Sequence, residues 1–368
     1  MSLKGQWIGN YNGPAQGILF LNIDDAGSHY EGSVSILPFG NDVPSSFLRL
    51  TTTNKGLKQA VTANPVAIHP HTLQFVSWDD IKNLYDEDVT FSESVSIHLS
   101  LKDGKIHIDA QGSNGVFSSI LNAADATTES SVVGEKMSWQ EFKNRLASIS
   151  KTKYLFRGQT RPWRLCTSFH RGGRYRISEF IAKDVKKLHQ RLSGITDHYF
   201  DLNNPEQNGA FYSLLQHHGY PTPLLDWSYS PYVAAFFAFR GVQKHQKTGK
   251  DDVRVYLFDH EQWKAKFNQS RVLDPPLPHL SVMEFISIAN PRQIPQQAAT
   301  TATNVLDIES YIKQLETTAN TAFLTAIDIP ASERDSAMDD LRFMGITAGS
   351  MFPGIDGVCE EMRERNFD

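Results

Sequence analysis

The sequence predicts a multidomain chain: an N-terminal antiparallel β-barrel or sandwich over residues 1–122, a linker at 123–137, and a mixed α/β (α+β) domain over 138–365. Three observations carry the prediction. Apolar and polar residues alternate with period two in several early runs, as in half-buried strands. A small, polar stretch from Ala123 to Glu135 has little to bury. Beyond it, helix-period and strand-period patterns interleave without a βαβ repeat.

In the N-terminal part the alternating runs are Ser33–Ile36, Val95–Leu101 and Lys105–Asp109. Asp103-Gly104 joins the last two. A two-residue Asp-Gly connection selects a type I′ hairpin, because both positions take positive φ. Asp25-Ala26-Gly27 and Ser113-Asn114-Gly115 mark further turns. A helical pattern is confined to Asp79–Tyr85. Ser138 with Glu141 forms a capping box that starts a helix to Ser148. Then follow strand Tyr154–Arg157, helices 178–193 and 207–217, strand Leu224–Trp227 and helix 231–240. Strands Val253–Phe258 and Phe285–Ile288, helix 306–318, strand Ala322–Ile329 and helix 331–344 complete the pattern.

Composition narrows the function classes. At 368 residues, 40% of them hydrophobic and 21% charged, this is an ordinary globular chain with room for two or three cores. A net charge of -5 argues against coating nucleic acid or acidic membrane over the whole surface. Cys166 and Cys359 have neither disulfide nor zinc-ligand spacing, so no metal is expected. The first residues lack a basic segment before an apolar run, and no stretch reaches roughly 18 apolar residues. The expectation is a soluble, cytoplasmic protein with no membrane partner.

Chemistry concentrates at two places. In Tyr154-Leu155-Phe156-Arg157-Gly158-Gln159 a short apolar strand ends in an arginine, with Gly158 free to turn beside it. A guanidinium there needs an acceptor: a carboxylate of the chain, or a phosphate or carboxylate of a ligand, which its fork fits bidentately. From Lys151 to Arg191 there are twelve Lys or Arg and two acids, Glu179 and Asp184. That excess favours an anionic ligand. A solvated helix face around Lys183, Lys186, Lys187 and Arg191 is the plainer alternative. Nucleic acid is a third, since Trp163, Phe169 and Tyr175 interleave with the arginines.

The second place is 214–238. Gly219 ends a helix, a Pro-rich turn leads to Leu224-Leu225, and Ser230-Pro231 starts a helix that is apolar nearly all round. His217, Asp226 and Ser228 are delivered near that helix N-terminus, where free N–H groups favour an anion. The plainer reading makes Asp226 and Ser228 turn and cap residues and His217 a core histidine. A Ser-His-Asp triad lacks the Gly-x-Ser-x-Gly elbow. Adjacent His217 and His218 point to different helix faces, which disfavours a metal site.

Together these strings resemble the FRG domain, a family named for its Phe-Arg-Gly. The resemblance covers about 138–365 in four ordered stretches. The first is Phe156–Gln159 with Trp163, Leu165, Ser168, Phe169, Arg171 and the later Glu179. The second runs from Gln216 to Ala238. The third is Asn290-Pro291-Arg292 with Gln296, and the fourth is Leu341–Gly345 with Met351–Gly357. Pro223, His218 and Ala298 stand where the family usually has Arg, Tyr and Gly.

The layout also looks like the ADP-ribosyltransferase superfamily, where an Arg or His ending the first strand holds NAD. The resemblance implies an NAD-using ADP-ribosyltransferase or NAD glycohydrolase, in a bacterial toxin or anti-phage effector whose N-terminal β domain senses or binds. The alternative it leaves is a non-catalytic module that binds a nucleotide or nucleic acid. NAD, as substrate, would meet Arg157, Gly158, Gln159, Ser168 and Arg171 from the first stretch. His217, Trp227, Tyr229, Arg292 and Gln296 would complete its site, with Trp227 or Tyr229 stacked on nicotinamide. Arg157, Asp226 and Ser228 would stand at the reacting centre. The acid stabilising an oxocarbenium-like state would be Glu284 or Glu179, since no Glu-x-Glu or Gln-x-Glu string follows residue 250.

Overall fold

The computed structural model describes residues 2–40, 43–150, 152–242 and 251–367. The early strands are β1 (Gly5–Asn12), β2 (Gly17–Asp25), β3 (Tyr30–Pro38), β4 (Ser46–Thr51), β5 (Lys58–Ala63), β6 (Val66–Ile68), β7 (Phe75–Val76), β8 (Val95–Lys102), β9 (Lys105–Gly112) and β10 (Gly115–Ala123). They form one antiparallel sheet in the order β5-β8-β9-β10-β1-β2-β3-β4-β6-β7. Alternation sends Trp7, Tyr11, Leu21, Val34, Leu48 and Ile97 to one face, where they share a core with Ala63 of β5. Strands towards both ends of the sheet thus enclose one core, so the sheet is strongly curled. Among the described residues no ladder joins β5 to β7. The expected antiparallel β unit is thus present as one curled sheet, and no ladder among the described residues closes it. The Asp103-Gly104 turn has φ of 51° and 76°, the left-handed pair its hairpin requires. The helical stretch near 79–85 is α1 (Trp78–Ile81) followed by a 3-10 turn.

The second sheet comprises β11 (Gly134–Lys136), β12 (Tyr154–Gln159), β13 (Leu224–Ser228), β14 (Asp252–Asp259), β15 (Leu280–Met283), β16 (Ala298–Thr303) and β17 (Leu324–Pro330). Its order is β11-β17-β14-β12-β13-β16-β15, antiparallel except for β11 beside β17. On one face pack α2 (Trp139–Leu146), which starts at the Ser138–Glu141 capping box, and α7 (Pro231–Arg240). Ser230 caps α7 through the Val233 N–H, and most of its residues are buried, as the sequence implies. On the other face lie α8 (His260–Lys266) and α9 (Ile308–Ala319), around Trp263, Phe258 and Trp227. A third core gathers α3 (Ser168–Arg171), α4 (Ile177–Glu179), a π-helical turn, α5 (Lys186–Leu192) and α6 (Pro205–His217). After β17 come α10 (Arg334–Phe343), α11 (Ala348–Met351) and α12 (Ile355–Phe367).

Three expectations change. No strand forms at Phe285–Ile288; the strand is β15, and Phe285 packs its ring where a Cβ on Gly209 would stand, 2.3 Å away. Strand β16, Ala-Ala-Thr-Thr-Ala-Thr, has no apolar alternation and is missed by the sequence. The linker is no free spacer. Ser130 and Ser131 bond the buried Glu309 carboxylate, the Val132 carbonyl accepts from Arg254, and β11 joins the sheet. Small polar residues there serve buried charges.

The outer face of β1 to β4 rests on the second unit. Gln6 donates to the Asn304 carbonyl at 2.7 Å and accepts from the Leu306 N–H at 2.8 Å. Asp24 accepts from the Tyr175 N–H at 2.8 Å, and Glu31 pairs with Arg176 at 2.6 Å.

Candidate functional site

Strands β12 and β13 pair at one position only, Phe156 opposite Ser228. Otherwise β12 ladders with β14, and β13 with β16. Beyond the single pair the two strands part, and a cavity of about 540 Å³ opens between them. The Phe-Arg-Gly string explains itself here. Phe156 enters the core beneath α7. A Cβ on Gly158 would lie 1.8 Å from the Ala234 carbonyl oxygen and 2.7 Å from the Ala238 nitrogen, so only glycine lets α7 lie on β12. Arg157, between them, lines the cavity.

Arg157 spans the parted strands: its Nη1 donates to the Asp226 carbonyl at 2.7 Å, while its Nε is buried without a partner. Burial works against its charge, the nearby Asp226 offsets this, and Arg171 adds to the repulsion. The Asp226 carboxylate faces the cavity, wet on its open side but enclosed by protein around it. Burial raises it above the usual carboxylate range, and Arg157 pulls it back. His217 also lines the cavity and is pushed down to about 4 by burial, then by Arg292 and His218, so it is neutral at pH 7. Arg292 stands on Phe352, 5.0 Å from its ring centroid. Among the described residues neither Arg157 nor Arg292 has a carboxylate ion-pair partner.

The other expected residues divide. Ser228 lines the cavity, but its hydroxyl donates to the Gln296 carbonyl at 2.7 Å and accepts from the Ser230 N–H at 3.0 Å. It is a brace, with no proton to spare for attack. The Gln296 amide donates in turn to the Met351 carbonyl at 2.9 Å. Trp227 contributes backbone to the cavity wall. Its ring is buried on the opposite face of β13, bonded to Thr301 and tilted on Phe258, so it cannot stack on a ligand. Tyr229 is 38% exposed at the rim, with its ring edge-to-face with His260 at 5.7 Å. Glu284 lines the mouth, with Lys264 at 3.3 Å.

Glu179 lies outside the cavity, held by Arg176 at 3.0 Å and Lys183 at 2.6 Å, and is no candidate acid. Gln159 sits opposite Arg254 at the end of β12, also outside. Ser168 anchors the 222 loop, and Arg171 donates to the Cys166 carbonyl at 3.1 Å. Helix α7 presents its N-terminus to a smaller neighbouring pocket, with Tyr229 on the rim of both.

Among the described residues, half of the twelve cations from 151 to 191 are ion-paired, four of them with acids from elsewhere and two, Arg174 and Lys183, with the run's own Asp184 and Glu179. Lys153 pairs with Asp259, Arg161 with Asp251, Arg164 with Asp307, Arg174 with Asp184 and Arg176 with Glu31. Lys151 lies outside the described residues. The sequence also missed Gln216, Gln293 and Phe352 as cavity residues. Gln216 and Phe352 stood in the motif strings; Gln293, between Arg292 and Gln296, carried no signal.

A strand-split α/β domain whose cavity brings together two guanidiniums without ion pairs among the described residues and one carboxylate is the class this geometry defines. Residues 152–247 match the family model of the FRG domain. The match spans β12 to α7, and β16, Arg292 and Phe352 complete the cavity from outside it. No curated protein and no solved structure matches the chain. Among the described residues no helix is long and apolar enough to cross a membrane, and no group of His, Cys, Asp or Glu side chains is arranged to hold a metal.

Proposed function

We propose that the cavity binds a nucleotide-class anion, and that the chain cleaves the N-glycosidic bond of NAD as a glycohydrolase or ADP-ribosyltransferase. The observation that carries this reading is the pair of guanidiniums, Arg157 and Arg292, lining one cavity with no ion pair to either among the described residues and Asp226 as the carboxylate nearest in charge to Arg157. A half-buried guanidinium without an ion pair is favoured where a ligand anion completes it, and planar guanidiniums suit phosphate oxygens. The volume of about 540 Å³ lies in the range of small-molecule sites.

In this reading Arg157 and Arg292 hold the phosphates, and Tyr229 at the rim offers a ring for nicotinamide. The bond from the ribose anomeric carbon to the nicotinamide nitrogen breaks, and its electron pair leaves with nicotinamide. Asp226, the enclosed carboxylate, stabilises the oxocarbenium-like ribose through its hydroxyls. Water or an acceptor nucleophile then adds at the same carbon and releases its proton. The likeness to ADP-ribosyltransferases belongs to this proposal, as does a sensing or binding role for the N-terminal sheet. A cell expressing such an activity loses NAD, which is the setting of a toxin or anti-phage effector.

Incubating the full chain with NAD tests the reading. Nicotinamide should be released, and Arg157→Ala and Arg292→Ala should each slow release by about 100-fold at unchanged melting temperature. Binding of NAD without release would leave a non-catalytic nucleotide module. Strongly salt-dependent binding of RNA or DNA would favour a nucleic-acid module, a reading the ion-paired half of the basic run weakens.

A further inference from the structure

Helix α12 is fixed to the body by its inner face. A Cβ on Gly357 would lie 2.0 Å from the Phe352 carbonyl oxygen, so the helix backbone rests directly on the turn before it. Glu360 accepts from Arg240 at 2.6 and 2.7 Å. Glu361 accepts from the Thr347 hydroxyl at 2.6 Å and from the Gly349 N–H at 3.2 Å. Held in this way, the helix cannot roll. At about 3.6 residues per turn, its opposite face is a stripe of Ile355, Cys359, Met362 and Asn366, with Val358 along one edge. Ile355 is 82% exposed, Val358 56% and Met362 43%.

We propose that α12 pairs with α12 of a second copy of this chain, antiparallel about a twofold axis. The stripe advances by alternate steps of four and three residues, the spacing of a coiled-coil seam. Its charges select the partner and the direction. Glu360 and Arg365 are engaged within the chain, by Arg240 and Glu361. Asp356 and Arg363 line the other edge of the stripe, exposed, and among the described residues neither makes an ion pair. Antiparallel pairing that layers Ile355 on Asn366 and Cys359 on Met362 brings Asp356 of each copy beside Arg363 of the other. One self-complementary patch thus makes two opposite-charge contacts. Parallel pairing would set Asp356 against Asp356 and Arg363 against Arg363, which repel. Two helices of 13 residues bury less than a standard interface, so the association is weak and reversible.

Sedimentation equilibrium of the full chain at low salt, from micromolar to near-millimolar concentration, tests this. A monomer–dimer equilibrium is expected. Asp356→Arg and Arg363→Asp should each weaken it by about 10-fold, since each makes both contacts repulsive. The double variant should return it to the wild-type value. Met362→Glu should abolish the dimer, and melting temperatures should stay unchanged because these side chains are exposed. Cys166 is buried, so a short bismaleimide should link the copies through Cys359 alone. A chain that stays monomeric throughout overturns the proposal. A dimer that survives Met362→Glu overturns it too, since another face then pairs. A dimer lost in Met362→Glu yet indifferent to both charge reversals overturns the antiparallel arrangement. Should Met362→Glu impair folding, the charge reversals and their double variant decide alone.

Discussion

Gly158 sets how closely the helix and strand that build the cavity wall can approach. Its missing side chain leaves 1.8 Å to the Ala234 carbonyl oxygen, a gap no methyl group can enter. Gly158→Ala must push α7 off β12, so unfolding in urea should show a loss of about 3 kcal/mol or no folded protein at all. Ser228 makes the milder case. Ser228→Ala strands the Gln296 carbonyl and the Ser230 N–H, and should cost about 1–2 kcal/mol while lowering ligand affinity through the displaced 293–297 loop. At this scale Arg157 was legible, because a charge ending an apolar strand must meet something. Trp227 was not. Its own strand offers two faces, and only its pairing with β16 decides that the ring goes to the core.

Elements were read where periodicity and caps agreed. The Asp103-Gly104 hairpin, the Ser138 capping box and α7 are local events, decided by neighbours in sequence. Strand β16 and the 128–136 segment are decided by distant partners, and their small polar residues carry no period. The segment hangs on Glu309, whose two oxygens accept from Ser130, Ser131, Leu165 and Tyr256. Glu309→Gln keeps the shape but turns an NH₂ towards groups that donate. It should cost about 2–4 kcal/mol by chemical denaturation and make the chain cleavable by protease between 124 and 134.

The molecule as a whole is held together where the first sheet meets the second unit, at Gln6, Asp24, Glu31 and Arg176. None of these long-range pairs has a sequence signal, and Lys153, Arg161, Arg164 and Arg176 looked free because their acids are scattered along the chain. Asp274 lies at the same junction, near Arg49, with its carboxyl pushed up to about 6 by burial, against the Ser178 N–H, Asn304 and Arg176. A folded value above the unfolded one adds stability that is complete below about pH 3.9 and lost as pH rises through 6. Stability should therefore fall between those values. Asp274→Asn should flatten that slope and stabilise the protein at pH 7 by about 1–3 kcal/mol, as followed by thermal melts across pH.

The lone Phe156–Ser228 pair divides the second sheet into two leaves, one carrying Arg157 and the other, through its β15–β16 loop, carrying Arg292. Leaves joined by so short a seam can breathe against each other without breaking their own ladders. An anion gripped by both arginines would act as a rivet across that seam. Amide hydrogen exchange at Phe156 and Ser228 should slow when such a ligand binds, while exchange within each leaf stays as it was.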